Sequence, residues 1–272
     1  MPVSISVSRG RAALAAILAG LMLLGASPAL LPRHGHNATR AERLAAAKGV
    51  GLQSPLPAQT IVAVGDSITR GAWDTAVVGG WVTRLSDTLR RTYPGTAFVV
   101  RNAGVDGDAT TGVLARLARD VLAPRPSLVI VSIGTNDFTA GVPPRTFAAE
   151  LHLLAARLRA APAAPVVVLA SMLPFAGLTP ARLAAERAYN DIIRRTAASM
   201  HVGYLDLFDM WLALGPSYLH LLHHDSVHPN PLGYAWLAST TATFLEAGYL
   251  DGQGRIVAPS VTPTCSALLC SP

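Results

Sequence analysis

Five short apolar runs, each followed by a longer stretch with helical periodicity, dominate the sequence between residues 59 and 250. The runs are Ile61–Val64, Ala97–Arg101, Leu128–Ile133, Val166–Ser171 and Gly203–Leu207. Short apolar runs that are rich in β-branched residues and bounded by turn residues are typical of strands buried on both faces. Because such strands alternate here with helices, the sequence predicts an α/β fold whose mainly parallel five-stranded sheet is covered by helices on both sides.

The intervening stretches predict five helices. These lie near Trp81–Thr92, Thr111–Leu122, Arg145–Ala160, Pro180–Ser199 and Leu232–Ala247. With 272 residues, 51% hydrophobic and 14% charged, the chain can bury a sizeable core in one domain and still carry terminal extensions. We assign that domain to residues 59–250.

The N-terminal residues 1–31 have the pattern of an export signal. Arg9-Gly-Arg11 precedes an apolar run from Ala12 to Leu31, with small residues near its end. The run is also long enough to cross a bilayer, so a retained membrane anchor is the alternative. Proline and glycine in its distal third favour a cleaved signal peptide. Either outcome predicts a secreted or cell-envelope protein, with membrane association only through this segment.

Two further segments flank the predicted domain. Residues 32–58 lack sustained periodicity and are expected to be a linker, and residues 251–272 form a Gly/Pro/Ser-rich tail that we expect to be draped or disordered. The tail contains the only two cysteines, Cys265 and Cys270. If the protein is exported, they can form a disulfide that closes a small loop; otherwise they are two thiols.

The charge distribution excludes a nucleic-acid-binding function. The formal net charge is +6, but no basic cluster exceeds Arg90-Arg91 and Arg194-Arg195. A nucleic-acid footprint needs clustered Lys and Arg or a binding motif, and neither is present. We expect a monomer whose partner is a small-molecule, glycan or lipid substrate.

The first apolar run ends in Gly65-Asp66-Ser67. Ligands of open α/β sheets bind beyond the carboxyl ends of the strands, so Ser67 stands where a nucleophile would act. All three residues also favour turns, and a simple turn is the alternative interpretation. A catalytic role for Ser67 therefore requires a base and oxyanion donors elsewhere in the chain.

Three other stretches supply those groups at predicted strand ends or before the last helix. They are Asn102-Ala-Gly104, Gly134-Thr-Asn136-Asp137 and Asp225-Ser-Val-His228. Serine is a weak nucleophile, and imidazole titrates nearest to neutral pH, so His228 can act as its base. Asp225 lies three residues earlier, where one turn would bring its carboxylate to the other ring nitrogen. The backbone N–H groups of Ser67 and Gly104 and the amide of Asn136 can stabilise an oxyanion.

Several of these assignments leave alternatives. Asp206 and Asp209 also follow a predicted strand and could orient the base. Gly104 could be an ordinary turn glycine. Asp66 and Asp137 are better explained as acceptors for loop N–H groups than as catalytic acids.

The histidines near the predicted base have a spacing that could bind zinc. They are His220, His223, His224 and His228. However, no glutamate completes a metalloprotease motif, and Pro229 makes a helix through His228 unfavourable. We therefore expect neither a metal nor another cofactor, and place His223 and His224 at the pocket rim or elsewhere on the surface.

Four aromatic residues lie near the predicted strand-end loops: Trp73, Trp81, Phe138 and Phe175. Each could stack on a sugar or pack against an acyl chain, or could simply belong to the core.

Taken in order, Gly65-Asp66-Ser67, Gly104, Gly134-Thr-Asn136-Asp137 and Asp225-Ser-Val-His228 resemble the four sequence blocks of the SGNH/GDSL hydrolase superfamily. The resemblance extends from about Thr60 to Thr243, with Ile68 where the family name has leucine. It implies a flavodoxin-like three-layer α/β/α sandwich. It also implies Ser67 as nucleophile, His228 as base, Asp225 as its partner, and an oxyanion hole formed by Ser67, Gly104 and Asn136.

The activity implied by this resemblance is hydrolysis of a carboxylic ester through an acyl-enzyme intermediate. Acylated carbohydrates, lipids and small esters all remain possible substrates. An O-acyltransferase on the same fold is an alternative, in which an alcohol replaces water. A non-catalytic cell-surface binding module is another, but such a module has no need of Ser67, Asn136 and His228 together.

Overall fold

The computed structural model describes residues 58–177 and 179–259, together with the backbones of residues 264–266 and 269–271. The predicted N-terminal export segment (residues 1–31) and all but the last residue of the predicted linker lie outside this range. Within the described residues, no helix combines the length and apolar character needed to cross a membrane.

The sheet contains the five predicted parallel strands. They are β1 (Gln59–Gly65), β2 (Phe98–Gly104), β3 (Leu128–Ser132), β4 (Val166–Ala170) and β5 (Gly203–Leu205). Their order is β2-β1-β3-β4-β5, and every neighbouring pair is parallel. Because the chain leaves β1 toward one edge and later returns to its other side at β3, the carboxyl ends of these strands form the crevice where such sheets bind ligands.

The described part of the chain has eight α-helices. They are α1 (Ser67–Arg70), α2 (Gly80–Thr92), α3 (Thr110–Arg116), α4 (Thr135–Thr139), α5 (Pro144–Arg159), α6 (Pro180–Ser199), α7 (Leu207–Leu212) and α8 (Pro231–Gly248). A π-helical segment (Leu117–Leu122) continues α3, and a 3-10 segment (Gly215–Leu221) follows α7. All five predicted helices are present, and the second of them consists of α3 and the π-helical segment that continues it. The helices α1, α4 and α7 were not predicted, because elements of four to six residues are too short to show a helical period.

The alternating side chains of β1 show how the three layers form. Ile61 and Ala63 pack on one face of the sheet with α2 and α8. Val62 and Val64 pack on the other face with α3, α5 and α6. A parallel strand buried on both faces needs apolar residues at every position, which explains why the run is continuous rather than alternating. The result is the predicted α/β/α sandwich.

The C-terminal tail differs from its prediction. Residues Thr264–Ser266 form β6, parallel to β5, and Leu269–Ser271 form β7, antiparallel to β6. An uncovered β5 would expose a row of unpaired backbone groups, and β6 pairs with them. Cys265 lies opposite Cys270 in the backbone register. Their side chains are outside the described residues, so the disulfide stays a prediction.

Glu186 is an unusual member of the core. It lies on the inner face of α6 and is fully buried, and neither carboxylate oxygen has a hydrogen-bond partner in good geometry among the described residues. Burial raises the pKa of Glu186 to about 8, and the backbone amide of Phe175 and the charge of Arg182 offset only part of this effect. The side chain is therefore protonated in the folded protein at neutral pH.

Replacing Glu186 by Gln is expected to stabilise the protein above pH 8 and to have little effect near pH 4.5. Between these values the unfolded chain is ionised at Glu186 and the folded chain is not, so folding takes up a proton and stability falls as pH rises. The slope is at most about 1.4 kcal/mol per pH unit. Melting temperatures across pH 4.5–9 measure the effect, with the exposed Glu246→Gln as control. Parallel pH profiles for the native chain and Glu186→Gln would show that Glu186 is not the group responsible.

Candidate active site

Ser67 lies at the carboxyl edge of the sheet because β1 leads directly into α1. The carboxylate of Asp66 caps this short helix by accepting the N–H of Ile68 at 2.9 Å. Gly65 is required at the turn, since a Cβ there would lie 2.0 Å from the carbonyl oxygen of Ser132 on β3. The local sequence Gly-Asp-Ser therefore combines close strand packing, a helix cap and a half-buried hydroxyl group.

Three side chains form a continuous hydrogen-bonded chain at this edge. Ser67 Oγ lies 2.7 Å from His228 Nε2, and His228 Nδ1 lies 2.6 Å from Asp225 Oδ2. The other oxygen of Asp225 accepts the backbone N–H groups of Val227 and His228, each at 3.0 Å. The loop before α8 thus fixes the carboxylate against the imidazole, and the imidazole against the serine.

The charge of Asp225 determines the direction of these hydrogen bonds. Burial alone would raise its pKa, but the hydrogen bonds from Val227 and His228 outweigh burial and hold the pKa of Asp225 below its usual value. An ionised carboxylate can only accept, so Nδ1 of His228 carries the proton. Nε2 is then an acceptor, and the Ser67 hydroxyl donates to it.

The structure distinguishes Asp225 from the two other candidate carboxylates. Asp206 caps α7 by accepting the N–H of Asp209 at 3.1 Å. Asp209 pairs with Arg187 at 2.6 Å. Neither of them contacts His228, so Asp225 is the carboxylate that the fold brings to the base.

Asp66 and Asp137 accept backbone N–H groups, as their sequence context indicates. Both oxygens of Asp137 lie within hydrogen-bond distance of the N–H of Thr110, at 3.2 and 3.1 Å. Burial raises the pKa of Asp66 to about 6, against the opposing effects of hydrogen bonds from Ile68 and Thr135 and of the nearby His228. Asp66 thus holds the turn that carries Ser67, and Asp137 holds the start of α3.

Two of the three predicted oxyanion donors are available. The N–H of Ser67 is in the first turn of α1, where no helical carbonyl precedes it. Asn136 is the second residue of α4, and its amide donates one hydrogen to the carbonyl of Asp108 at 2.9 Å. A carboxamide has two N–H hydrogens, so one remains for an oxyanion.

The third predicted donor, Gly104, is contradicted by the structure. Its N–H donates to the side-chain oxygen of Asn102 at 2.9 Å, and that amide is itself anchored on the carbonyl of Thr69. Gly104 is the last residue of β2, and a Cβ there would lie 2.2 Å from the backbone nitrogen of Arg70. Its glycine identity is therefore explained by packing, and its N–H is already occupied.

Gly107, three residues further on, is the better candidate for this role. It has a left-handed φ of 72° and open space around it, and its N–H has no acceptor among the described residues. The next residue, Asp108, accepts from Asn136 through its carbonyl and pairs with the largely buried Arg116 at 2.7 Å. The sequence analysis did not identify Gly107 as a donor, nor Arg116 as the residue that holds the neighbouring Asp108. The available signal was that Gly107 lies beyond the strand end, whereas Gly104 lies within it.

Replacing each glycine by alanine separates the two roles. Gly104→Ala is expected to lower the melting temperature, because its Cβ collides with backbone atoms. The Cβ of Gly107→Ala would contact no other atoms, but alanine in this left-handed conformation is strained by about 1 kcal/mol. We expect the strain to displace the N–H of residue 107 and to lower kcat about tenfold or more. Gly141→Ala controls for strain alone, since φ there is 69° and its surroundings are also open. Equal kcat values for the Gly107 and Gly141 variants would show that Gly107 does not contribute to the oxyanion hole.

The histidines and aromatic residues that the sequence placed near the site differ in their contacts and in their exposure. Both ring nitrogens of His228 are engaged by Ser67 and Asp225. Over the described ranges, no three His, Cys, Asp or Glu side chains converge in a way that could hold a metal ion. Trp81 and Phe175 are buried in the protein and Phe138 packs edge-on against Tyr189, whereas Trp73 is 54% exposed.

The chain is similar to known proteins in both sequence and fold. A model of the GDSL-like lipase/acylhydrolase family matches residues 63–236. Esterase TesA of Pseudomonas aeruginosa is 36% identical over 124 residues, which cover 45% of this chain and 59% of TesA. An arylesterase of Vibrio mimicus is 24% identical over 184 residues, covering 68% of this chain and 86% of that protein. The chain thus spans less than two thirds of the length of TesA.

The fold is similar to those of two enzymes of known structure. The acetylxylan esterase Axe2 of Geobacillus stearothermophilus has a TM-score of 0.61 at 22% identity, covering 68% of this chain and 93% of Axe2. LAE5, described as an α/β hydrolase enzyme from the metagenome of Lake Arreo, has a TM-score of 0.59 at 25% identity, covering 68% of this chain and 95% of LAE5.

Proposed function

Because the chain belongs to the GDSL-like lipase/acylhydrolase family, we propose that it is a serine esterase that hydrolyses carboxylic esters through an acyl-enzyme intermediate. The observation that carries this proposal is the unbroken contact from Ser67 through His228 to Asp225. An ionised carboxylate, a correctly oriented imidazole and a hydroxyl donating to it constitute an activated nucleophile. The similarity to proteins named esterase and arylesterase also supports an ester as the bond that is hydrolysed.

Acylation begins when Ser67 Oγ attacks the ester carbonyl and its proton moves to Nε2 of His228. Asp225 stabilises the resulting imidazolium without itself being protonated. The negative charge that develops on the carbonyl oxygen is stabilised by the N–H of Ser67 and the free amide hydrogen of Asn136, with Gly107 as the candidate third donor. When the tetrahedral intermediate collapses, the ester C–O bond breaks, and the alcohol leaves with the proton from His228.

Deacylation repeats these steps with water. His228 removes a proton from water as it attacks the acyl-serine carbonyl, the same donors stabilise the oxyanion, and Ser67 leaves as a hydroxyl with that proton. The carboxylic acid is released, and the free enzyme is regenerated. No step of this cycle requires a cofactor.

Hydrolysis of chromogenic esters tests this proposal. A series from acetyl to long acyl chains measures chain-length preference, and a serine-reactive phosphonate should inactivate the protein and add its mass to the peptide containing Ser67. Activity that is lost with a chelator but survives the phosphonate would contradict the proposal and favour metal-dependent hydrolysis through the His220–His228 region.

We also propose that the enzyme acts outside the cytoplasm, on the basis of the basic and apolar pattern of residues 1–31. Sequencing the mature N-terminus from the source cells tests this localisation. A new N-terminus near Ala29 supports cleaved export, and an intact segment in the membrane fraction supports an anchor. An intact chain in the cytoplasmic fraction would contradict both.

A further inference from the structure

Trp73 presents an exposed aromatic face beside the catalytic residues. The residue is 54% exposed, and its indole is stacked on the imidazole of His223, with ring centroids 4.8 Å apart and an interplanar angle of 13°. A large exposed indole is unusual for a residue with no role at the surface, because tryptophan is on average highly buried. We call the stacked pair of Trp73 and His223 the aromatic platform.

The backbone around Trp73 is held firmly in an unfavourable conformation. Trp73 has a φ of 66°, which is rare for a residue other than glycine. The next residue, Asp74, has a fully buried side chain that accepts the N–H groups of Ala76 and Val77 and pairs with Arg84 at 2.7 Å. A strained residue persists only where its surroundings determine it, so the backbone that carries the indole is fixed before any ligand arrives.

Backbone hydrogen bonds connect the aromatic platform to both the nucleophile and the base. The N–H of Ala72, next to Trp73, donates to the carbonyl of Ser67 at 2.9 Å. The N–H of His223 donates to the carbonyl of His228 at 2.7 Å. The platform therefore has a fixed position relative to the Ser67–His228 pair.

The position beside His228 indicates which part of an ester meets the platform. His228 must protonate the leaving oxygen, so the alcohol portion of the substrate lies on the His228 side of the tetrahedral carbon. His223 adjoins the base directly: its N–H donates to the carbonyl of His228, and its Nδ1 lies 3.8 Å from the Asp225 oxygen that holds His228. The platform is therefore next to the group that must protonate the leaving alcohol.

We propose that Trp73 and His223 form the subsite for the leaving alcohol, and that this subsite selects alcohols that carry a ring with a flat face. This inference rests on the proposed esterase function. A six-membered ring, either a sugar with axial C–H bonds or an aryl group, can stack on the exposed indole, whereas a flexible alkyl chain loses more conformational freedom and covers less of the face. The two ring types share this stacking chemistry, and the experiment separates them.

The test compares three acetate esters in the native chain and in Trp73→Leu, which keeps an apolar side chain without a ring. Benzyl acetate and butyl acetate have leaving alcohols of similar acidity, so the ratio of their kcat/KM values isolates recognition of the alcohol. A mono-acetylated methyl xyloside supplies the sugar ring. We expect Trp73→Leu to lower the benzyl-to-butyl or the xyloside-to-butyl ratio about 3- to 10-fold, the effect of losing one stacking contact.

Two variants serve as controls. Trp73→Phe keeps a flat face and should retain most of the ratio, and Val78→Ala alters an exposed apolar residue of the same loop and should leave the ratio unchanged. A fall confined to the benzyl ratio identifies an aryl alcohol, and a fall confined to the xyloside ratio identifies a sugar. If Trp73→Leu lowers all three esters equally, the platform does not select the alcohol and the inference fails. If the native chain hydrolyses none of them or any chromogenic ester, the proposed function itself fails.

Discussion

Replacing Ser67 by Ala is expected to lower kcat/KM for every ester substrate by at least about 10⁴-fold, because no other group can form the acyl-enzyme. Within the described ranges the hydroxyl forms a hydrogen bond with His228 alone, so its removal should leave the melting temperature nearly unchanged. Steady-state hydrolysis of a chromogenic acetate measures the loss. Ser239→Ala provides a matched control, since that exposed hydroxyl donates to the carbonyl of Trp236 in its own helix and is remote in sequence from the motifs of the site.

The double variant Ser67→Ala, His228→Ala gives a sharper test of the mechanism. If the two residues act as one unit, the second substitution should cost little once the first is present. Independent losses that multiply would mean that His228 acts on substrate or water without Ser67. Residual activity above one per cent in Ser67→Ala would show that another group attacks the ester.

The fold was largely predictable because its signals are local. Each of the five strands comes from a short apolar run, and strands that alternate with helices are typically connected as a parallel sheet. The strands β6 and β7 were not predictable in this way. Their residues have no apolar run of their own, and their position depends on β5, about 60 residues earlier, leaving an edge to be covered.

In the candidate active site, too, the residues with a local sequence signal were predicted and those without one were not. Ser67, Asn136 and His228 were predicted because each is the polar residue of a motif at or near the carboxyl edge of the sheet. The misassignment of Gly104 arose because the sequence does not show which acceptor a backbone N–H has. That acceptor is the side chain of Asn102, which is in turn fixed by Thr69, 33 residues away. The stacking of Trp73 on His223 joins residues 150 positions apart and likewise has no local signal.

Replacing Asp225 by Asn is expected to lower kcat about 10³- to 10⁴-fold, although the change removes no heavy atom from the site. The asparagine oxygen can still accept the N–H groups of Val227 and His228, so the loop should keep its shape. Its NH₂ group would then face Nδ1 of His228 and force the proton onto Nε2. In that tautomer His228 cannot accept the proton of Ser67, and the nucleophile is no longer activated.

Asp225→Ala separates the loss of the correct histidine tautomer from the loss of the loop structure. Alanine removes both the acceptor for the loop and the partner of His228, so this variant should lose stability as well as activity, whereas Asp225→Asn should lose activity alone. Asp209→Asn is the matched control, because Asp209 is a carboxylate near a strand end that pairs only with Arg187 on the surface. Melting temperatures and kcat for the three variants test the distinction. A loss of less than tenfold in Asp225→Asn would mean that Ser67 and His228 work as a dyad, with the carboxylate serving only to shape the loop.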